Sequence, residues 1–161
     1  MRYAALLALV LAGCASFDGR GLAPGQSTAA DVERVMGRAA ETRQVAGETW
    51  YYYPRQPYGR QVFVARVGAD GRLLGVEPRL TDDNIRRIAV QQTRSDEVRA
   101  LLGPPYLVTR FPRLEREVWQ YHVRQYGDPG IPMVLYVQFS PDGVAREVYR
   151  LDDTARPNTR S

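Results

Sequence analysis

Few side chains in this 161-residue sequence are suited to catalysis or metal binding. It contains one histidine, His122, and one cysteine, Cys14, so zinc and copper sites of the usual kinds lack ligands. General acid–base catalysis by His122 would need an oriented partner, which the sequence does not identify. Glu115 and Glu117 could form an acid pair, but the arginines beside them favour solvated ion pairs. We therefore expect no catalytic residues, no metal site, no cofactor and no enzymatic activity.

The charge pattern argues against a nucleic-acid partner. The 22 cationic side chains are all arginine, and with 18 acids they leave a formal net charge of +4. Apart from Arg2, they are spread from Arg20 to Arg160 and mixed with acids, whereas nucleic-acid-binding proteins cluster their basic residues in a patch or stripe. With 44% hydrophobic and 25% charged residues, the composition is that of a globular protein.

The N-terminal segment predicts a secreted, lipid-anchored protein. An apolar run over residues 4–11 leads through two small residues to Cys14, a pattern typical of secretory signals and too short to span a bilayer. The sequence Leu11-Ala12-Gly13-Cys14 resembles the lipobox of bacterial lipoproteins. This resemblance implies a signal peptide over 1–13, acylation of Cys14 and a lipidated linker over 14–21. Because Ala15-Ser16 lacks the aspartate that retains such proteins in the inner membrane, it also implies the outer membrane, facing the periplasm.

The rest of the chain repeats itself once. A polar capping signal and a short apolar pattern end at Gly37 in the first copy and at Gly103 in the second. A tryptophan-containing strand, an apolar strand and an Asp-Gly turn follow in each copy. Such repetition indicates duplicated structural units. We predict two tandem modules over residues 22–78 and 80–150, followed by a disordered tail over 151–161.

Each module is predicted to be α+β, with a short helix or helical hairpin packed on a three-stranded antiparallel sheet. Apolar residues at i, i+3 and i+4 predict the helices, and the candidate N-caps are Ser27 or Thr28 and, in the second copy, Thr93. A further helical turn, capped by Thr81, joins the modules. The strands, with Asp-Gly hairpin turns, are predicted over 45–53, 60–67 and 72–77, and over 116–124, 132–139 and 144–150.

The second copy resembles the SmpA/OmlA (BamE-like) family of outer-membrane lipoproteins. The residues that carry the resemblance, besides the lipobox, are Leu80-Thr81 with Ile85 and Ile88, Thr93 with Val98, Leu102-Gly103-Pro104-Pro105, Trp119-Gln120-Tyr121-His122-Val123-Arg124 and Phe139-Ser140-Pro141-Asp142-Gly143-Val144. Gln91 stands where the family usually has a glycine. The resemblance implies a non-enzymatic scaffold that assists β-barrel protein assembly through contact with a barrel-assembly complex. The duplication is also similar to that of β-lactamase inhibitory proteins, which implies the alternative of capturing an envelope or extracellular enzyme through the sheet surfaces.

An aromatic strand in the first module predicts a binding patch. Matching Trp50 to Trp119 places Trp50 and Tyr52 on the core face with Phe63, Ala65 and Val67 of the next strand. Period-two alternation then directs the neighbouring side chains outward. An uncovered apolar face is typical of an interaction surface. The predicted partner-binding residues are Tyr51, Tyr53, Arg55, Val62 and Val64. Alternatively, the two sheets pack on one another or the linker helix covers the patch.

Overall fold

Two four-stranded antiparallel sheets form the framework of the protein. The computed structural model describes residues 18–124 and 131–153. The predicted α+β fold with two tandem sheets is confirmed. The predicted number of three strands per sheet is wrong, because each sheet has four. The strand orders are β1-β2-β3-β4 and β5-β6-β7-β8. The first sheet comprises Glu41–Val45, Glu48–Pro54, Val62–Val67 and Leu73–Pro78; the second comprises Leu107–Phe111, Arg116–Arg124, Pro132–Phe139 and Ala145–Asp152.

Each sheet begins with an edge strand that the sequence does not predict. β1 pairs with β2 from Glu41↔Tyr52 to Val45↔Glu48, and β5 pairs in the same way with β6. Neither strand has a buried residue. Because edge strands with no core contact need no alternation of apolar and polar residues, their sequences lack the usual strand signal. At the other end of the second sheet, β8 runs through Asp152, so residues 151 and 152 belong to the sheet rather than to the predicted tail.

Three short helices precede or connect the sheets. Thr28 caps the first helix, where its amide donates to Asp31 Oδ2 at 2.9 Å. This bond is the main cause of the lowering of the Asp31 pKa to about 2. Thr81 caps the second helix as predicted, but the third begins after Arg94 rather than Thr93. The helices are α1 (Ala29–Met36), α2 (Asp82–Arg86) and α3 (Ser95–Leu102).

The two copies use the same backbone conformations. Gly37 and Gly103 end α1 and α3 with φ of 83° and 80°. Before the helices, Gly25 has φ of 75° and the corresponding Gln91 has φ of 70°. Glycine adopts this left-handed region without strain, whereas glutamine does not. The duplicated fold therefore keeps the turn at Gln91 although the residue type has changed.

The first sheet is buried on both faces. On one face, α1 contributes Val32 and Met36 to a core that also holds Tyr53, Ala65 and Val67. On the other, Tyr52, Val62 and Val64 belong to a second core shared with α3 and with the second sheet. The order of layers is therefore α1, first sheet, α3, second sheet. The members contributed to the second core by the linker, α3 and the second sheet are Leu80, Ile85, Ile88, Val98, Leu102, Trp119, Tyr121, Val123, Leu135, Val137, Phe139 and Ala145.

The register of β2 and β3 corrects the predicted faces of the first sheet. Tyr52 lies opposite Val64, and Tyr53 lies opposite Phe63. Residues directly opposite one another share a face of the sheet. Tyr52 is thus on the same face as Val64 and not, as predicted, on that of Phe63. The predicted pairing of faces is wrong by one residue, and a shift of one residue moves every side chain to the other face.

Candidate binding surface

The first three predicted binding residues lie beneath α1. Tyr53 is 2% exposed, and burial raises its pKa to about 12. Tyr51 is partly buried against the same core. The Arg55 guanidinium lies 5.7 Å from the centre of the Tyr53 ring and donates to the Met36 carbonyl at 3.3 Å, at the C-terminal end of α1. These residues stabilise the first module and do not form an open patch.

The other two predicted residues lie on the opposite face. Val62 and Val64 are fully buried in the core that holds residues of the linker and of the second sheet. The predicted uncovered patch is therefore wrong, and the alternative of packing between the modules is the one observed. Trp50, expected in the core, is only partly buried. Its ring lies 5.1 Å from the Arg79 guanidinium and 5.9 Å from that of Arg66.

The C-terminal end of α3 docks closely on the first sheet. A Cβ atom at Gly103 would lie 2.6 Å from Val62 Cγ1, so this contact requires glycine. Tyr52 Oη donates to the Ala100 carbonyl at 3.3 Å. Arg79 is 7% exposed and donates to two carbonyls of the last helical turn at 2.9 and 3.0 Å. Burial raises the pKa of Tyr52 and lowers that of Arg79.

An ion pair and a hydrogen bond hold α3 against the edge strand β1. Arg99 donates to both oxygens of Glu41, with distances of 2.6 to 2.9 Å, and this bonding raises the Arg99 pKa. The same guanidinium lies 5.6 Å from the centre of the Trp119 ring. Arg43 donates to the Asp96 carbonyl at 3.2 Å. The edge strand of the first sheet is thus tied to the second module.

A buried polar cluster joins the β2–β3 loop to the end of the second sheet. The side chains of Arg60 and Asp153 are 9% and 6% exposed and form an ion pair. His122 Nδ1 lies 3.3 Å from the same Asp153 oxygen, and the His122 amide donates to Gln56 Oε1 at 2.6 Å. Arg60 also donates to the Met133 carbonyl at 3.2 Å. His122 therefore has an oriented acidic partner that the sequence does not identify, and the cluster connects the two modules.

The two glutamates considered as an acid pair have separate contacts. Glu117 accepts from Trp119 Nε1 at 2.6 Å and from Arg110 Nε at 2.7 Å. Glu115 is exposed and ends a 3-10 turn over Pro112–Leu114 in the left-handed conformation. Ion pairing is thus confirmed for Glu117. Within residues 18–124 and 131–153, there is no group of three or more histidine, cysteine or acidic side chains that could hold a metal ion.

One sheet face in the described chain contributes to neither hydrophobic core. We call it the outward face of the second sheet, and the register assigns to it Val118, Gln120, His122, Val134, Tyr136, Gln138, Tyr149 and Leu151. Tyr136 and Tyr149 stack with ring centres 5.2 Å apart, and Gln138 donates to Tyr149 Oη at 3.2 Å. Leu151 is 53% exposed. This aromatic and polar surface is typical of a protein-binding face.

The sequence signal for the outward face is alternation in β6, which predicts that His122 lies opposite the face of Trp119. The register places them on opposite faces. The sequence alone does not identify Tyr136 and Tyr149 as a stacked pair, because the two rings come from different strands, β7 and β8. Cys14, the predicted lipid attachment site, lies outside the described residues.

Comparison with known proteins gives little further information. No family model matches the chain, and no curated protein matches it. A solved structure of a DUF4309 family protein (YjgB) from Bacillus subtilis is similar over 83% of this chain and 84% of that chain, with 18% sequence identity and a TM-score of 0.32.

Proposed function

We propose that this protein is a lipid-anchored, non-enzymatic binding module of the bacterial outer membrane, which holds a helix of a partner protein on the outward face of its second sheet. One observation carries the proposal. In the first repeat, the corresponding sheet face already holds a helix, namely α3. A duplicated unit that uses a face for docking in one copy presents the same face in the other.

The ladder registers establish which residues correspond. Tyr51 pairs with Ala65 and Tyr53 with Phe63 in the first sheet, as Trp119 pairs with Val137 and Tyr121 with Leu135 in the second. The docking residues of the first sheet therefore have defined equivalents on the outward face. Tyr52 corresponds to Gln120, Val62 to Val134 and Val64 to Tyr136.

The contacts of α3 indicate the chemistry of the partner. The first sheet offers aliphatic side chains together with donors to the last carbonyls of the helix. The outward face offers the exposed side chain of Leu151, the amide of Gln120 and the hydroxyls of Tyr136 and Tyr149, whereas Val118 and Val134 are each only 7% exposed. An amphipathic helix that brings aliphatic side chains and a small residue near its C-terminus fits this surface, since a small residue permits close approach as Gly103 does.

The anchor is proposed from the N-terminal sequence. An apolar run leads directly into Cys14, the single thiol. Stable membrane attachment needs more than one acyl chain, which a lipoprotein N-terminus supplies. Within the described residues, no helix is both long and apolar enough to cross a membrane. The resemblance to the SmpA/OmlA family supports a partner in a barrel-assembly complex, and the similarity to inhibitory proteins supports an enzyme as the alternative partner.

Cys14→Ala is expected to abolish acylation and to remove the chain from the outer-membrane fraction, because the Cys14 sulfur is the atom that would carry the lipid. Mass spectrometry of the mature N-terminus and membrane fractionation measure the two effects. Ser16→Ala, two residues away, should keep both the lipid and the location. Finding an unmodified Cys14 in the mature wild-type protein would exclude the lipoprotein assignment.

Tyr136→Ser combined with Tyr149→Ser should weaken partner binding by about tenfold or more, since central tyrosines are frequent hot spots of interfaces. The measurement is quantitative affinity purification from envelopes, comparing wild type, the double variant and the control Tyr58→Ser. Tyr58 is 93% exposed on a loop of the first module. The proposed face is contradicted if the partner is lost equally from the double variant and from the Tyr58→Ser control. It is also contradicted if neither variant loses the partner. Barrel-assembly subunits among the lost proteins would favour the scaffold, and a single enzyme the inhibitor.

A further inference from the structure

Exposed apolar side chains concentrate on one short segment of the second sheet. Of ten large apolar side chains that are exposed in the described chain, half lie within nine residues of sequence. They are Tyr106, Leu107, Val108, Phe111 and Leu114. Contiguous exposure of this kind marks an interaction surface. The segment contains all of β5, which is the first strand of its sheet and has one partner strand, β6.

The equivalent edge of the first sheet is protected. There, Glu41 and Arg43 of β1 are bonded to α3, and charged residues on an edge discourage pairing with another strand. β5 carries one charged residue, Arg110, which pairs with Glu117 of the neighbouring strand. Leu107 and Val108 are 47% and 39% exposed. β5 is thus an open, apolar edge that offers unpaired backbone groups for strand addition.

We propose that β5 pairs antiparallel with β5 of a second copy of this chain, across a two-fold axis at Thr109. The pairing would join two second sheets into one sheet of eight strands. It goes beyond the proposed function, because it concerns backbone pairing along the edge strand and a second copy of the chain, although Leu107 and Thr109 share the outward face with Gln120 and Val118.

The sequence of β5 is self-complementary in this register. Thr109 lies opposite its own copy, Leu107 lies opposite Phe111, and Val108 lies opposite Arg110. Threonine pairs and aliphatic–aromatic pairs stabilise antiparallel strands, whereas like charges directly opposite one another destabilise them. A register centred on Arg110 would bring two guanidinium groups together and is disfavoured. The charge pattern thus disfavours a centre at Arg110, and the pairs formed by Thr109 with its own copy and by Leu107 with Phe111 favour a second copy of this chain centred at Thr109.

A cysteine at the axis tests the pairing. With Cys14→Ala the chain has no native thiol, so Thr109→Cys adds a single one. Opposite Cα atoms in an antiparallel pair are about 4.5–5.5 Å apart, within the usual range for a disulfide. The control is Thr42→Cys, the same change on β1, the edge strand bonded to α3. We expect a disulfide-linked dimer for Thr109→Cys under mild oxidation and much less for Thr42→Cys.

The mass in solution gives the second readout. The full chain carrying Cys14→Ala should have twice the monomer mass by light scattering, and Thr109→Lys should halve it by placing two ammonium groups opposite each other, with an unchanged far-ultraviolet circular dichroism spectrum. A monomeric parent chain, or cross-linking no greater than that of the Thr42→Cys control, overturns the proposal. The test requires no partner protein, so its failure leaves the outward-face proposal standing, and the reverse also holds.

Discussion

Replacing Tyr52 with alanine is expected to lower the free energy of unfolding by about 3–5 kcal/mol, the usual cost of emptying a large aromatic site in a core. Tyr52 has no exposed surface, and it contacts α3 of the other module. Its loss removes a ring from the shared core and a hydrogen bond to Ala100. Urea unfolding of the wild type and the variant, followed by tryptophan fluorescence and circular dichroism, measures the difference.

Two comparisons make this result specific. Tyr58→Ala removes the same side chain at a 93% exposed position and should change the stability by no more than about 0.5 kcal/mol. Because Tyr52 belongs to a core built from both modules, the two spectroscopic signals should shift together. Two separate transitions, with only one of them moved by Tyr52→Ala, would show that the modules unfold independently and that the shared core is not cooperative.

Asp153→Ala should destabilise the protein by about 3–5 kcal/mol, because removing one member of a buried ion pair leaves the other charge uncompensated. The charge left behind is that of Arg60, whose side chain is 9% exposed. His122 loses its acidic partner at the same time. Thermal and urea unfolding of the two chains provide the measurement.

An exposed ion pair is the matched control for this prediction. Asp83→Ala breaks the contact with Arg86, in which both side chains are largely exposed, and should cost less than about 1 kcal/mol. Replacing both Arg60 and Asp153 by leucine removes the orphaned charge and should recover part of the loss. A double variant less stable than Asp153→Ala alone would indicate that Arg60 stabilises the loop mainly through the Met133 carbonyl.

Duplication and turns are the parts of the fold that sequence can predict. The helices end at Gly37 and Gly103 because of the local backbone conformation. The glycine that predicts each helix end is therefore the residue that forms it. β1 and β5 are missed for the opposite reason. They lie at sheet edges, where pairing with one neighbour suffices and no residue needs to be buried. Edge strands carry a weak pattern because only one partner strand constrains them.

The face of the aromatic strand cannot be determined from residue types alone. Trp50 to Tyr53 are four consecutive aromatic residues, so no alternation of apolar and polar types shows which of them face the core. Matching the two tryptophans is the natural alignment, yet the ladder places Tyr51, and not Trp50, in the position of Trp119. Both faces of the first sheet are buried, and a strand buried on both faces loses its alternation. The error in the predicted patch follows from this shift of one residue in the alignment of the two copies.

The polar cluster is missed because its members are distant in sequence. His122 and Asp153 are separated by 31 residues, and Arg60 and Asp153 by 93. Their contact depends on the packing of one module against the other, which no local pattern specifies. The outward face is only partly predictable, since alternation in β6 identifies one of its strands and the stacked tyrosines come from β7 and β8.

The position of α3 between the sheets makes the first module dependent on the second. A chain that ends before α3 leaves the face of Tyr52, Val62 and Val64 without the helix that covers it. An apolar face uncovered in this way can accept α3 from another copy of the chain, which is the route to a domain-swapped dimer. The second repeat thus completes the core of the first, and the two modules cannot be separated as independent domains without exposing that face.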